Sequence, residues 1–394
     1  MNKTKSGNIL RGNMRQYSMV IALVLLIIMF YFLTGGMLLK PLNITNLILQ
    51  NGYVLILAIG MLPVIITARI DLSVGSIVAF VGAVAAIMIV KWNVGFFPTL
   101  LVCLAVGALI GAWQGLWTAY VNIPAFITTL SSMLVFRGLT IAVLDGRSIG
   151  PFTDTFRAIS ASFIGDFLGG ITLFGQELNL VALVVGVISC IALVLADISK
   201  RRATIKYGFT ADPIWFFIIK QVIICVVVMW FFYFLAAYNG IPTLLILLVV
   251  LVVIYSFITS RTVIGRRIYA LGGNEAAAQL SGINTKRLVF ATNINMGVLS
   301  AVAGIVFAAR LNAGTPKAGN GFELDAIASC FIGGASVYGG TGNIMGAILG
   351  CFIMGIMNNG MSIMGVSVDF QQAIKGFVIL IAVALDMAAK SKKK

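Results

Sequence analysis

Long apolar stretches separated by short polar junctions run through this chain from Tyr17 to Ala388. A bilayer core roughly 30 Å thick takes about 20 apolar residues per helix. Runs of that kind lie at about 17–35, 44–67, 72–90, 97–120, 124–144, 178–198, 221–238, 240–259, 289–309, 324–339, 342–359 and 369–388. The pattern predicts an all-α polytopic membrane protein of about 10–12 transmembrane helices. The runs at 72–90, 324–339 and 342–359 are short or Gly-rich, so broken helices would lower the number of full crossings. The stretch 211–221 reads as an interfacial helix leading into the next span, with Trp215 and Lys220 at headgroup level. A single transmembrane domain over 1–394 follows, since no low-complexity linker and no separable soluble domain interrupts the pattern.

Composition agrees: 60% of residues are hydrophobic and 10% charged, against about 25% charged in an ordinary soluble domain. The formal net charge of +15 could suggest nucleic acid, but the basic residues cluster in junctions. These junctions are Lys3 to Arg15, Lys200 to Lys206, Arg261 to Arg267, Lys286–Arg287 and Lys390 to Lys394. Such clusters mark the cytoplasmic face, and nucleic acid is excluded as a partner. The stretches 1–16, 260–288 and 389–394 are therefore expected inside. The loop at about 145–177 carries Asp145, Asp154, Asp166 and Glu177 against two arginines and is expected outside. Twelve crossings from an inside start satisfy all these charges. Residues 17–33 follow four basic residues but lack a small-residue cleavage site, so they read as a first span rather than a signal peptide.

A faint internal repeat pairs Arg69 with Arg310, Asp71 with Asp325, Gly107 with Gly346 and Arg137 with Lys375. On the expected topology the two halves have opposite orientation, as inverted repeats do in many transporters.

Candidate chemistry is sparse. The chain has no histidine, and its five cysteines all fall in apolar runs, where they behave as small hydrophobes. No disulfide framework, metal site or Ser/His/Asp set follows, and no G-x-x-x-x-G-K-[ST] loop is present to bind a nucleotide. Asp71, in ARIDLSVGS, is costly inside a bilayer and needs a helix end or a partner. It is expected to cap a helix starting at Leu72, with a pathway or gating role as the alternative. Glu323 and Asp325 receive the same two readings. Arg137 and Lys375 are expected to snorkel to the interface. Ser73, Gln114, Asn122, Asn293, Asn295, Asn358 and Asn359 could hydrogen-bond a passing solute, and Trp113 and Phe126 could stack on it. Helix-to-helix contact is the plainer reading for each.

The polar stretch GRRIYALGGNEAAAQLSGIN from Gly265 is a water-side contact element. Gly272–Gly273 ends one helix, Asn274 is a good N-cap, and Glu275 to Leu280 forms a short helix whose Ala276 and Ala277 allow close approach.

Four segments, RIDLSVGS from Arg69, GRRIYALGGNEAAAQLSGIN, PKAGNGFELD from Pro316 and MNNGMSIM from Met357, resemble the permeases of bacterial ATP-binding-cassette importers for monosaccharides. The resemblance covers nearly the whole chain. The extra apolar pair around 178–238 and the segment from Asn312 to Gly342 most resemble the multiple-monosaccharide branch, with the xylose permeases next. The resemblance implies a type II ABC importer permease-like fold and a homodimer in the bacterial cell membrane. It implies a cytoplasmic sugar-import ATPase that binds ATP and Mg, an external or periplasmic sugar-binding protein, and no cofactor on this chain. It also implies ATPase coupling through Arg266, Arg267, Tyr269, Gly272, Gly273, Asn274, Glu275, Ala276, Ala277 and Leu280. Arg69 departs from the xylose-type relatives, which carry an acid there. The rival classes are an ion-coupled secondary sugar transporter, with Asp71, Glu323 and Asp325 as proton or Na⁺ carriers, and a channel or membrane scaffold.

The charge pattern generates an orientation test. Ser160→Cys should react with an impermeant thiol reagent from outside intact cells, and Gln279→Cys only after the inner face is opened; the reverse pattern overturns the orientation.

Overall fold

The computed structural model describes residues 6–173, 175–208 and 213–391. Residues 1–5 and 392–394 of the expected cytoplasmic termini, and 211–212 of the expected interfacial helix, lie outside the described residues. The helices are α1 Ser6–Leu33, α2 Pro41–Ile66, α3 Val74–Ala86, α4 Phe96–Ala119, α5 Ala125–Val143, α6 Asp154–Ala161, α7 Leu180–Lys206, α8 Ile214–Ala236, α9 Thr243–Arg261, α10 Val263–Gly273, α11 Glu275–Leu280, α12 Thr285–Leu311, α13 Phe322–Ile332, α14 Ile344–Ile363 and α15 Val368–Ser391. An antiparallel hairpin, β1 Ile171–Leu173 and β2 Gln176–Leu178, is the sheet among them.

Nine helices of the described residues are long and apolar enough to cross a membrane, and Met19–Leu33 of α1 is a shorter apolar helix. Two of the three doubtful runs are full-length. The helix from Val74 continues through a π-helical turn to Lys91, and α14 has 20 residues. The run at 324–339 is a partial helix, because α13 has only 11 residues and stops at Gly333, followed by Gly334 at φ 88°. The expected interfacial helix is not separate: from Ile214 to Ala236 the chain is one continuous helix.

The residues cluster into two compact units. One consists of 39–46 and 162–243, and holds α7 and α8 as an antiparallel pair. Cys190 of α7 donates to the carbonyl of Cys225, and the carboxylate of Asp197 accepts from Lys220 at 2.9 Å and Gln221 at 2.7 Å. Asn179 caps α7 by accepting from Ala182 N–H. The extra apolar pair of the sequence is thus a small structure of its own.

The other unit contains 1–38, 47–161 and 244–394. Here α2 and α12 run antiparallel: Arg310 donates to the carbonyl of Leu49, Tyr53 packs on Phe307, and Gly60 lies against Met296 and Leu299. Opposite orientation is what the repeat pairing Arg69 with Arg310 requires. The halves also exchange partners. Helix α3 lies along α12, with Gly304 against Val78 and Ala308 against Gly82. Helix α13 lies along α2, with Phe322 stacked on Tyr53 and the Cys330 thiol donating to the carbonyl of Ala58. Each half's second helix therefore packs on the other half's first.

Close approach is built with glycine. Helices α4 and α12 cross so tightly that a β-carbon on Gly107 would collide with the carbonyl of Gly297, and one on Gly111 with the backbone of Asn293 and Ile294. Small residues let helix backbones meet where lipid supplies no hydrophobic drive between helices.

Helix α12, 27 residues long and so about 40 Å at 1.5 Å per residue, separates two ends of this unit. At one end Ile149 bridges to Gly314 beside α6, and at the other Gly340 N–H donates to the carbonyl of Ile66 at 2.9 Å. Ser160 of α6 is fully buried, so the outside labelling is to be read at the exposed Thr155.

Gly111→Leu should force α4 and α12 apart. Overpacking costs about 1–3 kcal/mol when side chains can yield, and backbone atoms yield less, so a lowered melting temperature and loss of monodispersity are expected on thermal-shift size exclusion. An unchanged melting curve would show that the crossing is loose.

Candidate functional site: two helix breaks and a capped contact helix

Two interruptions organise the unit. The first, Thr67 to Ser73, lies between α2 and α3; the second, Asn312 to Gly321, lies between α12 and α13. They meet directly. A β-carbon on Gly75 would collide with the carbonyl of Gly319 and with the carboxylate of Glu323, and Gly319 sits at φ 69°, which favours glycine.

Asp71 is fully buried in the first break. Its Oδ1 accepts from the Ser73 amide at 2.8 Å and the Ser73 hydroxyl at 2.6 Å. The Ser73 hydroxyl in turn accepts from Gln114 Nε2 at 2.6 Å, across to α4. Asp71 Oδ2 and Gln114 Oε1 are buried with no protein partner. The expected helix start at Leu72 is corrected: α3 begins at Val74, its N-cap Ser73 makes no side-chain cap bond, and Asp71 closes an Asx turn before the helix. The carboxylate holds the break rather than the helix end.

In the second break the snorkelling expectation fails for both basic residues. Arg137 Nη1 donates to the carbonyls of Ala318 at 2.6 Å and Pro316 at 3.3 Å, and Lys375 Nζ pairs with Asp325 at 3.0 Å. Carbonyls freed by the broken helix and a buried carboxylate need donors, and these two cations are within reach. Glu323 and Asp325 lie in the first turn of α13, where an acid is favoured by the helix dipole. Glu323 Oε2 is buried without a protein partner.

The remaining candidates do not join this cluster. Asn122 is exposed in the α4–α5 turn at φ 62°, and Phe126 is exposed at the start of α5. Trp113 packs edge-on against Trp117 and Phe136. Asn293 Nδ2 returns to the carbonyl of Val289 within α12, and Asn295 accepts from the Tyr255 hydroxyl. Asn358 and Asn359 sit on α14; Asn359 is buried, and Asn358 Oδ1 is buried without a protein partner.

The contact element folds as its sequence reads. Helix α10 is capped by Thr262, whose hydroxyl accepts from Gly265 N–H, and ends at Gly273. Asn274 Oδ1 accepts from Ala277 N–H at 3.0 Å and caps α11. Arg266, Arg267, Ala276 and Ala277 are exposed, and Leu280 is 91% exposed, an apolar side chain left uncovered at a helix end. Tyr269 donates to the carbonyl of Gly342 at 2.7 Å, and burial raises its phenol pKa. Gly272 packs so closely on Ile66 and Gly340 that a β-carbon there would overlap them.

One link was missed at the sequence level. Arg69 donates to both carboxylate oxygens of Glu275, at 3.1 and 3.2 Å, and to the carbonyl of Thr67 at 2.9 Å. The departing residue thus ties the first break to the contact helix. Only two lone opposite charges beside polar junctions hinted at it, 206 positions apart.

Comparison with known proteins agrees with the resemblance. Residues 43–383 match the family described as branched-chain amino acid transport system / permease component. A xylose transport system permease protein of Haemophilus influenzae is 38% identical over 96% of this chain and 98% of its own length. That of Escherichia coli K12 is 39% identical over 96% of this chain and 93% of its own. A ribose import permease protein of H. influenzae is 34% identical over 89% and 87%. No solved structure matches the chain. The chain belongs to this permease family and is a multi-pass membrane protein.

Asp71→Ala would leave the buried Ser73 amide and hydroxyl without their acceptor, at a cost of about 1–3 kcal/mol. The thermal midpoint of the purified chain should fall, and Asp71→Asn, which keeps an acceptor oxygen, should fall less. Equal midpoints for all three proteins would show that the network holds nothing.

Proposed function

We propose that this permease is the membrane subunit of an ATP-driven importer of monosaccharides of the xylose and ribose class. In this reading a cytoplasmic ATPase binds ATP and Mg, and docks on α10 and α11. An external sugar-binding protein delivers the sugar at the opposite end, and two copies of the chain enclose the pathway. The observation that carries the reading is the short capped helix α11, which presents Ala276, Ala277 and Leu280 outward while Glu275 holds Arg69 of the first break.

Movement of a docked ATPase would reach the first break by two routes: the Glu275–Arg69 pair, and the close backbone contact of Gly272 with Ile66. Beyond them lies the Asp71–Ser73–Gln114 chain, in contact through Gly75 with Glu323 and the second break. Two breaks that meet can shift together. We assign gating to Asp71, Ser73, Gln114, Glu323 and Asp325; the unmet oxygens of Asp71, Gln114 and Glu323 suit transient hydrogen bonds to sugar hydroxyls or water.

The test is reconstitution of the chain with its ATPase and a sugar-binding protein in proteoliposomes. Sugar-loaded binding protein should stimulate ATP hydrolysis, and uptake should survive collapse of proton and Na⁺ gradients. Ala276→Glu with Ala277→Glu should leave insertion intact and weaken ATPase association by about tenfold or more, the size of a lost interface anchor. Gradient-driven uptake by the chain alone, abolished in Asp71→Asn, would overturn the importer in favour of an ion-coupled carrier.

A further inference from the structure

A cavity of about 210 Å³ opens among α2, α9, α10 and α12, between the contact element and the membrane-spanning body. It is larger than the roughly 150 Å³ apolar cavity known to take up benzene. Ile258, Ile264, Ile268, Leu288 and Ala291 make it apolar. Its hydroxyls are already engaged with protein. Tyr255 donates to Asn295, the Thr259 hydroxyl returns to the carbonyl of Tyr255, and the Thr292 hydroxyl to that of Val289. No carboxylate lines it. Such a site offers little to a sugar.

Its rim is basic. Arg261 stands three positions after Ile258 on α9, Arg267 three after Ile264 on α10, and Arg287 four before Ala291 on α12. Residues three and four apart share a helix face, so three helices each place an arginine beside the apolar lining. All three are exposed, as are Arg266 and Lys286, and none belongs to an ion pair among the described residues. The acid of the contact element, Glu275, is turned to Arg69.

We infer that this cavity binds an anionic phospholipid of the surrounding leaflet, with part of one acyl chain among Ile258, Ile264, Ile268 and Ala291 and the phosphate at Arg261, Arg267 and Arg287. An apolar chain gains little by leaving lipid for an apolar cavity, so the charged rim supplies the selectivity. The cavity wall includes Ile264 and Ile268 of α10, the helix that carries α11. The bound lipid therefore props the contact element from the membrane side. This inference stands apart from the transport reading and does not depend on which solute crosses.

The test is lipid retention by the full chain in mild detergent, mixed with equal dioleoyl phosphatidylglycerol and dioleoyl phosphatidylcholine and read by native mass spectrometry. Phosphatidylglycerol should be retained in preference. Arg267→Gln and Arg287→Gln should each weaken it about fivefold, the effect of one basic residue near an anionic surface, and Arg267→Lys with Arg287→Lys should preserve it. Ala291→Phe, which fills the cavity without changing charge, should lose it as well; Ala291→Leu serves if the larger residue prevents folding. Equal retention of the two lipids overturns the inference. So does loss in the arginine variants with full retention in the filled cavity, which would indicate diffuse surface charge alone. Disulfide formation between Val263→Cys residues of two chains, with no lipid retained, would assign the cavity to a second copy and overturn it too.

Discussion

A backbone that breaks its helix inside an apolar body must find new partners for every amide and carbonyl it frees. That constraint acts at Thr67–Ser73 and Asn312–Gly321, and the polar residues of this chain are distributed to meet it. Asp71 accepts the Ser73 amide, Thr129 donates to the carbonyls of Ala125 and Ile70, and Arg137 donates to those of Pro316 and Ala318. An unmet buried polar group costs several kcal/mol in a membrane, so few of these side chains are free to vary without a substitute donor or acceptor.

The breaks are held together by the absence of side chains. Gly75 and Gly319 bring two backbones into direct contact, and Gly107, Gly111 and Gly297 do the same for α4 and α12. Close backbone contact makes a stiff junction with few intermediate positions, since packed interfaces favour discrete arrangements over continuous bending. The exchange of helices between the halves, α3 on α12 and α13 on α2, means that neither break can move without disturbing the other half.

The contact element joins this system at one edge. Tyr269 and Gly272 seat α10 on the loop from Ser336 to Gly342, and that loop is itself bonded to the end of α2 through Gly340. Arg69 adds an ion pair to Glu275 at a half-exposed position, where its energy is small and its value lies in fixing the direction of α11. The outward face of α11 carries no such internal partners, which leaves Ala276, Ala277 and Leu280 available to another protein.

Local patterns determined much of this protein. Apolar run lengths, junction charges and the Asn274 cap depend on residues within a few turns of one another, so the all-α membrane class and the contact helix could be read from order along the chain, whereas the partial helix α13 could not be told from a full span. The family could be read as well, because its segments are contiguous. Tertiary structure alone decided the rest. Arg137 reaches Pro316 and Ala318 instead of the interface, Lys375 pairs with Asp325, and Arg69 with Glu275, because these contacts form between residues far apart along the chain that only the packed helices bring close. Asp71 before α3 and Asp325 within α13 look alike in sequence, yet one holds a turn and the other an ion pair. Hydropathy records how much a residue avoids water; it carries no information on which distant donor will meet a buried oxygen.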